Sequence, residues 1–384
     1  MSWDKITFSE LVEFPPKVSL EKDELYDNIP MDVVDGGIKY VQEINQRVYT
    51  GGGAKFGNGD TIFARITPCL ENGKIAKVKG LEKGVGFGST EFFVFRAKEN
   101  ISDPDFIFYL AKTDLVRQPA IKSMVGASGR QRADKGVVEQ IKVPNIPLPT
   151  QRKIASILSA YDDLIENNLK RIKLLEEKAF LRYKEIVKDE IFEEIKLKQV
   201  TQFLKRGVSP KYVNDDGVIV LNQKCIRNHI VSFEDSRLTD SEKNIPEERM
   251  LQKFDTLINS TGTGTLGRIA MNIQDEFPLT VDSHITIVRA NHQITPIYLC
   301  MSLFAMENVI EMMGEGATNQ TELSPKKVGE EIKIPLVANT LMNKYEKEAV
   351  PIFNLIWNLQ KQNTKIREAR DILLPRLMSG EIEV

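Results

Sequence analysis

Two long segments of the chain carry apolar residues at alternating spacings near three and four. In the first segment the apolar positions are Leu158, Tyr161, Ile165, Ile172, Leu175, Ala179 and Ile186. In the second they are Tyr345, Ala349, Ile352, Ile356, Leu359, Ile366, Leu373 and Leu377. This heptad pattern is typical of a narrow helical seam. Each segment is therefore predicted to be a long helix that packs against one partner helix.

Polar residues interrupt both seams, with Asn168 and Arg182 in the first and Asn363 and Arg370 in the second. The simplest partner of each segment is the other one. Two such helices would form an antiparallel coiled-coil rod of roughly 55 Å, at about 1.5 Å per residue. Pro351 is expected to begin or kink the second helix, because proline lacks an amide N–H. In the alternative, each helix packs on its own globule alone, and its apolar face should then be wider.

The second half of the chain repeats the first at a displacement of about 190 residues. Five blocks recur in the same order: 59–66 and 254–261, 73–76 and 267–270, 92–96 and 285–289, 126–128 and 316–318, and 146–149 and 334–337. Several blocks alternate apolar and polar residues as strands do. The predicted fold is α+β, with two similar mixed α/β domains separated by two long antiparallel helices. The predicted bounds are 1–150 for the first domain, 151–190 for the first helix, 191–338 for the second domain and 339–384 for the second helix.

The composition fits a folded globular protein, since 41% of the 384 residues are hydrophobic and 28% are charged. The net charge of -2 argues against a protein that grips DNA unaided. Residues 47–83 and 196–227 nevertheless carry an excess of Lys and Arg. The sequence has no run of apolar residues long enough for a membrane helix and no signal-peptide pattern at its start, so a cytoplasmic location is expected.

The motifs of the common enzyme classes are missing or lack their context. Residues 262–267 fit G-x-G-x-x-G, but 268–273 has a strand pattern where a dinucleotide site needs a helix. His229, His284 and His292 lack metal-ligand spacing, and His284 falls in a predicted strand. Three widely separated cysteines encode neither a disulfide framework nor a zinc site. No catalytic residue and no metal site is therefore predicted.

Residues 146–177 resemble the central conserved region of type I restriction-modification specificity subunits. Residues 358–384 resemble the C-terminal region of that family. The loop 316–327 is similar to the family's end-of-domain pattern, and 126–136 matches it more loosely. The turn at 149–152 is shorter than the family's common form. This difference affects only the expected structure of that turn.

The resemblance implies two target recognition domains on a pair of helices, in a non-catalytic subunit that reads a bipartite, asymmetric site in double-stranded DNA. Modification (methyltransferase) subunits would dock on the helical rod, and restriction (endonuclease/translocase) subunits would join them. S-adenosylmethionine, ATP and Mg²⁺ are implied for those partners and no cofactor for this chain. Two other hypotheses remain: a stand-alone tandem DNA-binding protein, and a coiled-coil scaffold without a DNA role.

Arg, Asn and Gln are the natural readers of base edges, while Lys and Thr hold phosphates. The candidate DNA-binding residues of the first domain are Lys55, Arg65, Arg130, Gln131, Arg132 and Lys135. Those of the second domain are Asn222, Gln223, Lys224, Asn319, Gln320, Thr321, Lys326 and Lys327. The candidates for the helical rod and for partner docking are Leu158, Ile165, Asn168, Ile172, Leu175, Ile356, Leu359, Asn363, Ile366 and Leu373.

Overall fold

The computed structural model describes residues 3–127, 129–241, 245–262, 264–316 and 321–384. The chain divides into two compact units. The first contains residues 1–170 and 361–384, and the second contains residues 171–360. Each unit therefore combines one globule with a length of each of the two long helices.

The first globule contains ten strands and four short helices within its described residues. In chain order these are β1 (Lys5–Thr7), α1 (Phe8–Leu11), β2 (Val12–Glu13), β3 (Leu25–Ile29), β4 (Asn45–Val48), β5 (Ala54–Gly57), β6 (Thr61–Ala64), β7 (Ile75–Lys77), β8 (Val85–Gly88), β9 (Phe92–Ala97), α2 (Pro104–Lys112), α3 (Asp114–Lys122), α4 (Lys135–Glu139) and β10 (Lys142–Pro144). The first long helix, α5 (Leu148–Asp189), follows.

The first globule is built on two four-stranded sheets. One has the strand order β2-β9-β6-β7 and is antiparallel. The other has the order β4-β3-β8-β5, in which β3 and β8 run parallel. The helix α2 packs on the first sheet with its residues Phe106 to Ala111 all buried. Asp103 caps α2 by accepting hydrogen bonds from the amides of Asp105 (2.9 Å) and Phe106 (3.0 Å).

The second globule repeats the main elements of the first and has additional short strands. Its strands and α-helices are β11 (Glu193–Lys196), β12 (Thr201–Arg206), β13 (Tyr212–Val213), β14 (Gly217–Leu221), β15 (Ile226–Arg227), β16 (Ile230–Val231), β17 (Arg237–Asp240), β18 (Thr256–Asn259), β19 (Ile269–Met271), β20 (Leu279–Val281), β21 (Ile285–Ala290), α6 (Pro296–Phe304), α7 (Glu307–Met312), α8 (Pro325–Glu331) and β22 (Lys333–Leu336). The second long helix, α9 (Asn339–Ser379), follows.

The sheets confirm the internal repeat. The order β12-β21-β18-β19 corresponds to β2-β9-β6-β7, and the parallel pair of β14 and β20 corresponds to β3 and β8. A carboxylate–guanidinium pair also recurs. Arg96 meets Asp60 with two contacts of 2.7 Å, and Arg289 meets Asp255 with contacts of 2.9 and 2.7 Å. The segment after Gly267 forms the strand β19, as predicted, so the glycine motif lies between strands.

The two long helices pair with each other in the first unit. The side-chain amide of Asn168 donates to Oδ1 of Asn363 (2.9 Å). Six residues earlier on α5, Asp162 forms an ion pair with Arg370, which lies seven residues later on α9. The direction of pairing is therefore antiparallel, as predicted. The expectation of helices packed on their own globules alone is wrong.

The helix pair continues in the second unit. The hydroxyl of Tyr345 donates to the carbonyl of Ala179 (2.9 Å), and Arg182 forms an ion pair with Glu348 (3.1 Å). Most predicted seam residues are buried. Leu175, Ile366 and Leu373 are partly buried. Pro351 lies within α9, which begins at Asn339, so of the two roles expected for this proline, beginning the helix is wrong.

Both helices also contribute to the globular cores, which makes their buried faces wider than a strict seam. In the first unit Ile154 and Leu158 of α5 and Leu374 of α9 belong to the core that contains α2. Polar contacts reinforce this packing, since Lys39 reaches Asp105 (2.8 Å) and Ser159 of α5 (2.7 Å). None of the described helices combines the length and apolar character needed to span a lipid bilayer.

Replacing Arg370 with Ala should destabilise the protein strongly, because it leaves the carboxylate of Asp162 buried without its cation. The side chains of Asp162 and Arg370 are 1% and 3% exposed. Breaking such a buried pair costs about 3 to 5 kcal/mol. Denaturant unfolding measures this loss, with Arg376→Ala on the exposed face of α9 as the matched control. Equal stability of the two variants would contradict a structural role for the pair.

Candidate nucleic-acid interface

In the first unit three segments meet where β6 ends, and we call this the first strand-end site (residues 65–67, 91 and 130–133). The amide of Arg65 donates to the carbonyl of Glu91 (2.9 Å), in the turn before β9. The amide of Ala133 donates to the carbonyl of Arg65 (2.8 Å). The amide of Thr67 donates to the carbonyl of Gln131 (2.9 Å). Backbone hydrogen bonds therefore join the strand, the turn and the loop.

The second unit has the same arrangement where β18 ends, here called the second strand-end site (residues 223, 260–262, 284 and 321–323). The amide of Ser260 donates to the carbonyl of His284 (2.8 Å), and the amide of Leu323 donates to the carbonyl of Ser260 (2.8 Å). Thr261 and Glu322 form a β-bridge, as Ile66 and Arg132 do in the first unit. The backbone is thus conserved between the halves of the chain, while the side chains differ.

The first strand-end site holds two guanidinium groups around one carboxylate. Arg132 binds both oxygens of Glu91, at 2.9 and 2.7 Å, and Arg65 approaches Glu91 at 3.3 Å. The guanidinium of Arg65 also lies 5.5 Å from the centre of the Phe93 ring. The hydrogen bonds from Arg132 hold the pKa of Glu91 below its usual range. Because one anion serves two cations, the cluster stays positive and rich in hydrogen-bond donors.

The second strand-end site holds a chain of three hydrogen-bonded side chains. The hydroxyl of Thr261 donates to Oε1 of Gln223 (3.0 Å) and lies 2.7 Å from Nδ1 of His284. The amide of His284 donates to Oδ1 of Asp282 (2.9 Å), which orients the turn. His284 is exposed and lies in the turn before β21. The expectation that it would fall within a strand is wrong, because β21 begins one residue later.

The predicted residues of the first domain divide between two places. Arg65, Gln131 and Arg132 belong to the first strand-end site, and Arg130 is exposed beside them. The other two lie elsewhere, with these neighbours: Lys135 forms an ion pair with Glu139 (3.3 Å) and lies 5.2 Å from the Phe14 ring centre, and Lys55 lies on β5, 5.3 Å from the Tyr49 ring centre. Among the described contacts, none links Lys55 or Lys135 to the strand-end site.

In the second domain, Gln223 and Thr321 belong to the second strand-end site. Asn222 is engaged locally, since its Oδ1 accepts from the amide of Lys224 (2.9 Å) and its amide group donates to the carbonyl of Asp235 (2.5 Å). The side chain of Lys224 is exposed. On α8, Lys326 is exposed and Lys327 forms an ion pair with Glu315 (2.7 Å). Asn319 and Gln320 lie outside the described residues.

Sequence reasoning missed Glu91, Thr261 and His284 as site residues. Glu91 lies in the turn before β9, and His284 lies in the turn before β21. These two positions are equivalent in the internal repeat. A single polar residue in a turn has no periodic signal. Pairing the two halves of the chain position by position would have revealed them.

Comparison with known proteins shows what this chain is similar to. A model described as "Type I restriction modification DNA specificity domain" matches residues 2–177. Residues 2–177 are thus similar to the DNA specificity domain of type I restriction-modification systems. The specificity subunit of the type I enzyme EcoAI from Escherichia coli is 29% identical over 180 residues, which cover 44% of this chain and 30% of that protein. The match thus spans less than a third of the E. coli relative.

Other relatives match over both halves of this chain. The specificity subunit of the type I enzyme MjaVIII from Methanocaldococcus jannaschii is 26% identical over 332 residues, covering 78% of this chain and 75% of that protein. The crystal structure of a type I restriction-modification S subunit from M. genitalium has a TM-score of 0.53 at 17% identity, covering 98% of this chain and 96% of that one. That similarity supports the fold with two globules and two long helices.

Replacing Glu91 with Gln should free Arg65 and Arg132 at little cost in stability. Arg132 is 45% exposed, so water screens the ion pair and the variant should unfold at nearly the same denaturant concentration as the wild type. The pKa of Glu91 is lowered in the folded state, so the pair stabilises at neutral pH and its contribution is lost as the pH falls through that pKa. NMR of the arginine Nε–H groups at neutral and acid pH measures this release. Equally ordered guanidinium groups in the variant would contradict it.

Proposed function

We propose that this chain is the DNA-reading subunit of a type I restriction-modification complex, and that it reads a bipartite, asymmetric site. One observation carries the proposal. The two strand-end sites share their backbone hydrogen bonds, yet one presents Arg65 and Arg132 and the other presents Gln223, Thr261 and His284. Two chemically different readers on equivalent frameworks would select two different half-sites.

The side chains of the first strand-end site suit a base with acceptor atoms. Guanidinium groups are donors only, and in the major groove guanine offers the acceptors O6 and N7. The carboxylate of Glu91 holds Arg132 in one orientation before DNA arrives. Preorganisation of this kind lowers the entropy that binding would otherwise cost. Arg130, exposed in the same loop, is the most accessible candidate for a base contact.

The partners of this chain would be modification subunits, which methylate DNA, and restriction subunits, which cut it. S-adenosylmethionine, ATP and Mg²⁺ would act in those subunits. The helix seam residues around Asn168 and Asn363 would tie the two DNA readers to the surface on which the modification subunits dock. Because the chain has a net charge of -2, its unaided binding to DNA should be weak and sensitive to salt.

The decisive experiment joins purification with methylome sequencing. A host that carries this chain and its modification subunits should methylate one bipartite sequence with two unlike halves. The chain should also co-purify with the modification subunits. A stand-alone DNA-binding protein would instead bind tightly without partners, and a scaffold would leave the methylome unchanged. Either outcome would overturn the proposal.

Replacing Arg130 with Ala should weaken recognition of one half-site and leave the other unchanged. Loss of a base contact costs about 1 to 3 kcal/mol of discrimination. Methylation rates of duplexes with single base changes in each half-site measure the effect. Arg152→Ala, an exposed arginine in the first turns of α5, is the matched control. Equal weakening on unrelated sequences would show that Arg130 contacts phosphate instead.

A further inference from the structure

Gln223, Thr261 and His284 form a hydrogen-bond relay. The relay determines whether each of its two end side chains, Gln223 and His284, presents a donor or an acceptor to a ligand. A threonine hydroxyl has a single proton. In the structure that proton goes to Oε1 of Gln223, at 3.0 Å. With the amide in this orientation, Nδ1 of His284, 2.7 Å from the same oxygen, carries a proton and donates it. A neutral imidazole with Nδ1 protonated has an unprotonated Nε2, which is a hydrogen-bond acceptor.

Gln223, at the opposite end of the hydrogen-bond relay, presents a donor. Since Oε1 of Gln223 accepts from Thr261, its amide nitrogen is left with two donor hydrogens. If the amide of Gln223 were turned over, the hydroxyl proton would go to His284 and both ends would reverse together. In either arrangement the pair presents one donor and one acceptor. For a neutral imidazole, the single proton of Thr261 enforces this complementarity.

The surrounding backbone holds the side chains of this hydrogen-bond relay in place. Gly262 has a φ of +106°, and a Cβ built there would lie 2.9 Å from Oε1 of Gln223. A residue with a side chain would therefore displace the amide. The amide of His284 is held by Asp282, and the carbonyl of Gln223 accepts from the side chain of Asn259 (2.9 Å). Gln223 and His284 are thus held in position by contacts within the protein, which leaves their outer atoms for a ligand.

One base edge matches a donor–acceptor pair in the major groove. Adenine presents an acceptor, N7, beside a donor, the N6 amino group. Guanine presents two acceptors, cytosine presents a donor and thymine presents an acceptor beside a methyl group. We propose that His284 and Gln223 read adenine in the half-site of the second unit. This inference rests on the proposed function, because it assigns a base to one of the two proposed readers.

Replacing His284 with Asn tests the assignment. The asparagine amide can occupy the place of Nδ1 and keep the hydrogen bond to Thr261, but it lacks the outer nitrogen. The variant should fold as the wild type does, with an unchanged thermal unfolding curve. In the complete chain co-produced with its modification subunits, discrimination for adenine at one position should fall about tenfold. The affected half-site should be the one that Arg130→Ala leaves unchanged.

Two further variants make the test specific. His292→Asn changes an exposed histidine of the same unit by the same substitution and should leave discrimination unchanged. Gln223→Glu removes the donor from the other end, and it should relax the same adenine position. Methylation rates of duplexes carrying each of the four bases at every position of that half-site provide the measurement.

The possible failures can be told apart. If the complex methylates a bipartite site but His284→Asn keeps full discrimination, or if that half-site contains no adenine on either strand, the adenine assignment is wrong and the proposed function stands. If the wild-type complex shows no sequence-specific methylation, the proposed function is wrong and the assignment falls with it.

Discussion

The pairing of α5 with α9 is the contact on which the rest of the structure depends. Neither helix could be stable alone with so many apolar positions exposed to water. In the first unit their register is determined by two buried polar contacts, Asp162 with Arg370 and Asn168 with Asn363. A buried amide pair specifies register because any other alignment would leave the amides without partners. Apolar residues alone would tolerate a shift along the seam.

The globules depend on these helices for part of their cores. In the first unit α5 and α9 contribute to the same cluster as α2, and in the second unit both contribute to the cluster that contains α6. Polar contacts strengthen the attachment in the first unit, where Lys39 joins Asp105 to Ser159. A helix that packs in both the helix pair and a globular core has few positions at which its sequence can change. The exposed turns and loops of the strand-end sites have far more positions that can change.

The strand-end sites show how one framework can serve two readers. Their segments are joined by main-chain hydrogen bonds, which do not depend on the identity of the side chains. Glu91 and His284 occupy equivalent places and carry opposite chemistry, a carboxylate bound by arginines and an imidazole bound by a threonine. Substitutions at these places can alter recognition while the fold is preserved.

The sequence by itself determined the two long helices, the internal repeat and the resemblance to a known family, because each depends on patterns that extend over many residues. Heptad spacing identified Leu158, Ile165 and Ile356, which are buried in the structure. Tertiary structure alone decided which isolated polar residues meet. Asp162 pairs with Arg370 across two helices, and Thr261 joins Gln223 to His284 from three separate segments. Such contacts leave no trace in local spacing, since the partners are brought together by the folding of the chain and not by their positions along it.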